Sequence, residues 1–329
     1  MNGDSIDRRS LMAAVGAVGS LALVPEPASA QRCFVPQRVK GPLVWLDLDQ
    51  QELNEAYDQG VYAFNVPNIS ERIREANILA LAKIGAPMAV SYGPAEVEKL
   101  RIYKTGKQGA PTVIYIHGGA WGDSIFNDTA FQAEMFVKAG ANYVHVDFGS
   151  VGSFGGDLFP MADQCRRAIA WIYRNAGSFG GSRDRLYLAG HSSGAHLAGC
   201  VLIADWTKER LSADILKGAF LASGIYDLKV VRLSSRSSYV KFTDAMEQEL
   251  SARRHLARVN TPLILGHGTL ETPEFQRQTR DFAAAMASAG KKSRYLVGKG
   301  LNHFEVAESF GNPYGFMGRA ALEMMGLTA

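Results

Sequence analysis

One short stretch between two glycines carries the residue types of nucleophilic catalysis. Residues 190–194 read Gly-His-Ser-Ser-Gly, a G-x-S-x-G pattern that follows an apolar run and precedes a helical one. Glycines at both ends permit a sharp turn between a strand and a helix, which lifts the hydroxyl of Ser192 clear of a sheet and places it at a helix N-terminus. The pattern alone is a weak signal, since a plain packing turn would also explain it.

A glycine pair earlier in the chain could bind the negative oxygen that forms when a nucleophile attacks a carbonyl group. Residues 117–121 read His-Gly-Gly-Ala-Trp and also follow an apolar run. Glycines let the backbone approach a ligand closely, and preorganised N–H groups stabilise such an oxyanion. We therefore predict an oxyanion hole formed by the backbone N–H groups of Gly118, Gly119 and Ser193. A plain strand-exit turn explains the glycines but not their position upstream of Ser192.

The candidate general base is His303, which follows the last predicted strand in a segment that can reach over the nucleophile. A surface histidine is the alternative interpretation. The other histidines flank the nucleophile, lie in or at the ends of strands, or fall in a charged helical stretch, and they are His117, His145, His191, His196, His255 and His267.

A carboxylate must hold the base in the tautomer that accepts a proton. Glu271 lies in a loop after a predicted strand, whereas Glu274 falls in the first turn of a helix that Thr272 would cap and Pro273 would open. An acid in a first helical turn has a structural reason to be there. We therefore predict Glu271 as the third member, with Asp227, which follows the preceding strand, as the runner-up.

These residues need a scaffold that brings the ends of several strands together. Strand-like runs are found at 88–92, 99–103, 112–117, 143–148, 186–189, 219–222, 263–266 and 294–297, and helical patterns at 128–139, 161–177, 193–204 and 275–290. Alternating strands and helices predict an α/β fold with a mostly parallel central sheet covered by helices on both faces. Functional residues of such a sheet gather at the carboxyl ends of its strands.

The first thirty residues differ from the rest. Paired arginines, Arg8-Arg9, precede an apolar run and the small residues Ala28-Ser29-Ala30, which is the order of a twin-arginine export signal. We predict a signal peptide at 1–30, periplasmic localisation, an N-terminal helical extension at 31–85 and a catalytic domain at 86–329. Two roles stay open for the extension: a lid over the site or a cover for a sheet edge.

Composition argues against several classes of partner. The chain has 329 residues, 47% hydrophobic and 20% charged, with a net charge of +3 and no Lys/Arg run, so we expect neither nucleic-acid binding nor a membrane anchor. The oligomeric state, a homodimer included, is left open. Cys33, Cys165 and Cys200 form an odd set; the latter two fall on apolar helical faces, so we expect buried thiols and no disulfide.

Taken together, these motifs resemble the α/β-hydrolase superfamily, in the serine carboxylesterase branch that pairs an H-G-G motif with G-x-S-x-G and includes hormone-sensitive-lipase-like and kynurenine formamidase-like enzymes. The resemblance runs from about Tyr92 to the C-terminus. It implies a triad acid at Glu271, where the family usually has aspartate. Residues 149–156, Gly-Ser-Val-Gly-Ser-Phe-Gly-Gly, replace a proline-rich segment of the family, and residue 120 is alanine instead of a third glycine.

From this we expect a hydrolase of a small or medium carboxylic ester that needs no metal or organic cofactor. An amidase or formamidase on the same fold is the alternative, which the export signal disfavours, and a non-catalytic binding protein is a remote one. A histidine base with an unperturbed pKa would lose activity near about pH 6.5. Five aromatic residues could form an apolar pocket or simply pack in the core, and they are Trp121, Phe126, Phe154, Tyr226 and Phe304.

Overall fold

Runs of apolar residues build the central sheet, and all eight predicted strand runs form strands in it. The computed structural model describes residues 38–122 and 128–328; the predicted leader, Cys33 and the pocket candidate Phe126 lie outside these residues. The strands are β1 (Leu43–Trp45), β2 (Leu48–Asp49), β3 (Met88–Ser91), β4 (Lys99–Tyr103), β5 (Ala110–Ile116), β6 (Asn142–Val146), β7 (Gly181–His191), β8 (Leu216–Ala222), β9 (Leu263–Gly268) and β10 (Ser293–Gly298).

The main sheet has the order β10-β9-β8-β7-β5-β6-β4-β3. The strands from β10 to β6 pair in parallel, and β4 runs antiparallel to both of its neighbours, β6 and β3. The predicted mostly parallel sheet is therefore confirmed. Its central strand β5 is buried along its whole length, which explains why its sequence is almost continuously apolar.

Helices cover both faces of the sheet. They are α1 (Gln50–Glu55), α2 (Val66–Ile84), α3 (Ala130–Ala139), α4 (Phe159–Asn175), α5 (Ser193–Leu202), α6 (Leu228–Arg232), α7 (Asp244–Glu249), α8 (Pro273–Ser288), α9 (His303–Glu308) and α10 (Phe316–Met325). Successive residues of a strand point to opposite faces. Ile114 and Ile116 accordingly pack with α4, α5 and α8, whereas Val113 and Tyr115 pack with α3 and α10.

The N-terminal extension is not purely helical. Its first described elements are β1 and β2, which form a short antiparallel hairpin that the sequence pattern did not indicate. A capping box opens α1, where Asp49 accepts a hydrogen bond from the Glu52 backbone N–H and Glu52 accepts one from the Asp49 N–H. A short 3₁₀ helix, Gln59–Tyr62, then leads into α2. The N-terminal half of this extension thus mixes strand and helix.

Ion pairs fasten α2 to the catalytic part of the fold. Arg72 pairs with Glu308 of α9 at 2.6 Å, and Lys83 pairs with Glu134 of α3 at 2.9 Å. Residues Gly41–Ala329 form one compact unit, which is distinct from Met1–Lys40. Within residues 38–122 and 128–328, no helix is both long enough and apolar enough to cross a membrane. From Gly41 onward, the extension therefore belongs to the same compact unit as the sheet.

The two described cysteines are buried thiols, as predicted. Cys165 lies on the inner face of α4 and Cys200 on α5, and neither forms a disulfide within the described part of the chain. Burial raises the pKa of the Cys200 thiol because an apolar environment disfavours the thiolate. Both side chains therefore serve as small core residues.

Candidate active site

Ser192 occupies a strained turn between β7 and α5. Its backbone has φ 58° and ψ −129°, a conformation that residues with a side chain rarely adopt. The backbone N–H of Ser192 donates to the carbonyl of Ala222, at the end of the neighbouring strand, at 3.0 Å. The surrounding structure therefore holds the strained turn in place, with the serine at the head of α5 and in the lining of a cavity.

The two glycines of the G-x-S-x-G pattern are required by close backbone approach. A Cβ atom on Gly194 would lie 2.2 Å from the carbonyl oxygen of Ile116 and 2.4 Å from that of His117, and one on Gly190 would lie 2.7 Å from the carbonyl oxygen of Gly194. These contacts are shorter than any real Cβ contact, and backbone atoms of a central strand cannot move aside cheaply. The pattern thus lets α5 pack directly against the end of β5.

We expect Gly194→Ala to lower the free energy of unfolding by about 3 kcal/mol or more, because its methyl group would overlap two carbonyl groups at the end of β5. Gly177→Ala is the matched control. Nothing lies within 4 Å of a Cβ at this exposed glycine, so its unfolding free energy should change by less than about 1 kcal/mol. Urea unfolding of both variants measures the difference; equal stabilities would contradict the close approach.

The predicted oxyanion loop lies beside the serine. A Cβ on Gly118 would be 3.0 Å from the Cβ of Ser192, so the backbone of this loop runs against the serine side chain. Gly118 and Gly119 line the same cavity as Ser192. Among the described residues, no acceptor is recorded for the backbone N–H groups of Gly118, Gly119 or Ser193. The N–H donors of Gly118 and Gly119 are therefore available in the cavity lining, to which the buried Ser193 does not belong.

Trp121 holds this loop in place through buried contacts. It was predicted as a pocket residue, but it is not part of the cavity lining. Its backbone has a positive φ of 63°, its N–H donates to the Ser193 hydroxyl at 3.2 Å, and its side chain is buried. The indole N–H donates to Nδ1 of His196 at 3.0 Å, which leaves the Nε2 proton of that histidine to donate to the Leu250 carbonyl. The indole ring is therefore packed in the core and does not contact the cavity.

His303 and Glu271 form a buried pair. Nδ1 of His303 lies 2.7 Å from a carboxylate oxygen of Glu271, and both side chains are almost fully buried. The other carboxylate oxygen accepts hydrogen bonds from the Ser223 hydroxyl and the Gly268 N–H, each at 2.6 Å. A carboxylate can only accept, so the Nδ1 of His303 carries the proton and its Nε2 is left as an acceptor.

The N-terminal extension helps to position this histidine. His303 is the first residue of α9, whose N-cap Asn302 forms a capping box with Glu305. The side-chain amide of Asn302 donates to Asn65 at 2.8 Å, and Asn65 donates in turn to Glu305 at 3.1 Å. Residues just before α2 are therefore hydrogen-bonded to the cap that orients His303.

Asp227, the runner-up for the acid, has a different structural role. Its side chain caps α6 by accepting from the Lys229 N–H, and it pairs with Arg254 at 2.9 Å. Thr272 stands at the N-cap of α8 as predicted, although its side chain makes no capping hydrogen bond. Glu274 is buried in the first turn and pairs with Arg277 at 2.7 Å. Of these acids, Glu271 is the one that contacts His303.

Burial sets the protonation of the pair. It lowers the pKa of His303 to about 3, and the positive charge of Arg236 acts in the same direction. Burial also raises the pKa of Glu271, opposed by its hydrogen bonds from Gly268 and Ser223. Two such closely coupled groups take up protons as one unit. At neutral pH the imidazole is therefore uncharged and able to accept a proton.

We expect kcat/KM to stay flat as the pH falls from 8 through about 6.5, the value for an unperturbed histidine, and to fall only at more acidic pH, as the lowered pKa of His303 is approached. A lowered pKa keeps the neutral base present at more acidic pH, and activity is lost as the pH falls through that pKa. Rates with a neutral ester, on protein shown to stay folded by circular dichroism, test this. A midpoint at about 6.5 would mean that His303 is solvated like a surface histidine.

The cavity that contains Ser192 and His303 has a volume of about 310 Å³. Its described lining comes from Tyr57–Gly60 of the extension, from Gly118–Ala120, from the beginning of α3, from Arg236, and from residues around the serine and the histidine. Tyr57–Gly60 of the extension therefore form part of the cavity wall, so this segment does more than cover a sheet edge. A cavity of this size fits a small or medium ligand.

The structure places two other predicted pocket residues outside the cavity lining. Tyr226 is fully buried, with its ring stacked on Phe282 at a centroid distance of 4.3 Å, and Phe154 packs its ring over Gly149. Both rings fill the core instead of facing the cavity. Phe304 does line the cavity, next to His303.

Sequence reasoning did not single out most of the cavity lining, and Tyr57, Arg236 and His191 are examples. Tyr57 and Arg236 lie in segments without a catalytic motif, and His191 was set aside because it flanks the nucleophile. The ring of His191 in fact lies against that of His303, with a centroid distance of 4.4 Å. For His191, its position next to Ser192 was a sequence signal that it could lie in the site. Tyr57 and Arg236 had no such signal. In residues 38–122 and 128–328, no group of three His, Cys, Asp or Glu side chains is arranged to hold a metal ion.

Comparisons with known proteins agree with this fold. The BD-FAE family model matches residues 100–281. The chain is 33% identical over 246 residues to the kynurenine formamidase of Danio rerio. This match covers 73% of this chain and 82% of that protein. It is 24% identical over 243 residues to isoprenylcysteine alpha-carbonyl methylesterase ICME of Arabidopsis thaliana, spanning 66% of this chain and 56% of that one.

A solved structure is similar along most of the chain. The esterase LipW from Mycobacterium marinum superposes with a TM-score of 0.63 at 18% sequence identity, over 82% of this chain and 89% of that one. At this level of identity, the similarity establishes the fold alone.

Proposed function

We propose that this chain, which belongs to the BD-FAE family of α/β-hydrolases, is a serine hydrolase that cleaves a small or medium carboxylic ester through an acyl-enzyme. The fold and the carboxylesterase branch inferred from the sequence are confirmed by the family match and the relatives. The observation that supports the serine mechanism best is the buried 2.7 Å contact between His303 and Glu271 in the cavity that also contains Ser192.

In the first half of the proposed reaction, the hydroxyl oxygen of Ser192 attacks the carbonyl carbon and its proton passes to Nε2 of His303. Glu271 holds the Nδ1 proton and stabilises the imidazolium that forms. The N–H groups of Gly118, Gly119 and Ser193 donate to the developing oxyanion. His303 then returns the proton to the leaving alcohol, and the acyl group stays on the serine oxygen.

In the second half, water replaces the alcohol. His303 takes a proton from the water, whose oxygen attacks the acyl carbon, and the same N–H groups stabilise the second oxyanion. Collapse of this intermediate releases the carboxylic acid and returns the proton to Ser192. Every bond and proton in the cycle is accounted for by the ester, one water molecule and the residues named.

A formamidase is the second candidate, and the similarity to a kynurenine formamidase favours it. The same nucleophile and base would cleave a formamide, provided that His303 protonates a departing amine instead of an alcohol. The two candidates therefore differ in the leaving group that the cavity accepts, and substrate profiling separates them.

The experiment compares purified protein with its Ser192→Ala variant on a series of p-nitrophenyl esters of increasing acyl length, on N-formylkynurenine and on simple aromatic amides. Ester turnover with a short-chain optimum, absent from the variant, is the expected result because the cavity is small. Formamide turnover that exceeds all esters would replace the esterase proposal with the formamidase one. Equal rates for the protein and its variant would reject both.

A further inference from the structure

One cation in the catalytic cavity, Arg236, has no acidic partner among residues 38–122 and 128–328. Arg236 lines the cavity together with Ser192 and His303. Its recorded contacts within the described residues are with neutral groups: Nη2 donates to the Tyr57 carbonyl at 2.8 Å, and Nη1 donates to the Tyr239 hydroxyl at 3.4 Å. Because a guanidinium has more N–H donors than these two contacts use, some of them are available to a ligand.

Aromatic rings hold the guanidinium in place. Its central carbon lies 5.6 Å from the ring centroid of Trp121 and 5.9 Å from that of Tyr57. Such contacts orient a planar cation without neutralising it. Arg236 is only partly exposed, so it is ordered before a ligand arrives and loses little freedom on binding one.

The carboxylates of the cavity lining are already engaged elsewhere. Asp58 is exposed and accepts from the Gly60 N–H at 2.9 Å. Asp128 has a side chain that is 68% exposed and pairs with Arg101 at 3.2 Å. Neither forms an ion pair with Arg236, so the positive charge beside the catalytic groups is not balanced by an acid of the described lining.

The charge also acts on the candidate base. Arg236 and His303 line the same cavity, and the positive charge of the guanidinium lowers the pKa of His303. A positive charge so placed disfavours the imidazolium that the reaction must form. A negatively charged group bound next to Arg236 would cancel this effect, so an anionic substrate would restore basicity to His303 when it binds.

We propose that Arg236 is a specificity-determining residue that binds a carboxylate carried by the substrate, so that the preferred substrates are acyl compounds bearing a carboxylate. This inference rests on the proposed serine hydrolase function. The planar guanidinium matches a planar carboxylate with parallel hydrogen bonds, which a lysine ammonium cannot reproduce. A carboxylate also leaves the carbonyl group under attack free to reach the oxyanion donors.

A purely structural role is the competing explanation. The hydrogen bond from Arg236 to the Tyr57 carbonyl fastens the extension over the cavity. Loss of that bond would impair neutral and anionic substrates alike. Charge preference therefore distinguishes the two explanations, whereas a general loss of activity does not.

The experiment measures kcat/KM for 3- and 4-acetoxybenzoate against the corresponding acetoxybenzamides, which have nearly the same shape without the charge. We expect the native protein to prefer a carboxylate substrate by about tenfold or more, the usual effect of a charged hydrogen bond. Arg236→Gln should reduce that preference by a similar factor, and Arg236→Lys should fall between. Arg183→Gln, which removes a charge outside the cavity lining, is the matched control and should keep the preference.

Two further readouts complete the test. The acid limb of the profile for a neutral ester should move to higher pH in Arg236→Gln, because a cation near His303 is gone. Calorimetry should show that benzoate binds the native protein more tightly than benzamide does, and that Arg236→Gln loses this difference. Binding does not depend on turnover, so it tests Arg236 even if the hydrolase proposal fails. Equal use and equal binding of the charged and neutral partners would overturn the inference.

Discussion

Ser192→Ala is expected to lower kcat for any turned-over ester by about 10⁵-fold, because the proposed acyl-enzyme forms on the hydroxyl that this change removes. The remaining rate would come from the oxyanion donors and from binding alone. The substitution keeps the Cβ atom and removes only the hydroxyl, so the strained turn at this position is unchanged. The free energy of unfolding should therefore stay within about 1 kcal/mol of the native value.

Ser193→Ala is the matched control for this prediction. Its hydroxyl accepts a hydrogen bond from the Trp121 N–H, but the proposed contribution of residue 193 to the oxyanion hole comes from its backbone, which alanine retains. Steady-state rates for both variants decide between the two neighbouring serines. A large loss in Ser193→Ala with a small loss in Ser192→Ala would contradict the assignment of the nucleophile.

Glu271→Gln should lower kcat by about 10³- to 10⁴-fold with a much smaller change in KM. The amide keeps the size of the side chain but not its charge. It can no longer stabilise the imidazolium of His303, and it can present an N–H where the histidine needs an acceptor. The effect is on the chemical step, so single-turnover rates with a neutral ester should fall as much as kcat does.

Asp227→Asn is the control that separates the predicted acid from its runner-up. Asparagine can still cap α6, and the change weakens the ion pair with Arg254, so a modest loss of stability is expected. Its kcat should stay within about threefold of the native value because Asp227 does not contact His303. The reverse order of effects would show that Asp227 is the acid.

Much of the fold was predictable from the need to bury apolar surface between a sheet and helices. Apolar runs alternate with amphipathic helical stretches, and such a chain can bury its surfaces only in a sheet with helices on both faces. The hairpin of β1 and β2 was missed because its strands are only three and two residues long. A periodic pattern cannot be recognised in so short a run.

The positions of Ser192, Glu271 and His303 followed from the same sheet. Each comes after a strand of the sheet, and the carboxyl ends of parallel strands meet at one edge. The sharp turn at Ser192 also had a sequence signal in its flanking glycines, and the close approach of Gly194 to the end of β5 explains one of them.

The walls of the cavity could not be predicted in this way. Trp121 and Tyr226 are aromatic residues near the site, yet their rings face partners that are distant in sequence, His196 and Phe282. Arg236 lies in a short 3₁₀ helix with no periodic pattern, between α6 and α7. Which side of a loop a side chain faces depends on tertiary packing, and a single sequence does not contain that information in readable form.

The most direct test of the central claim is to map a covalent label. A fluorophosphonate should phosphonylate the native protein with one equivalent, displacing fluoride, and peptide mass spectrometry should find the added group on Ser192. Ser192→Ala should remain unlabelled, and Ser193→Ala should still be labelled. Labelling of another residue, or no labelling of folded protein that turns over an ester, would contradict the proposed serine mechanism.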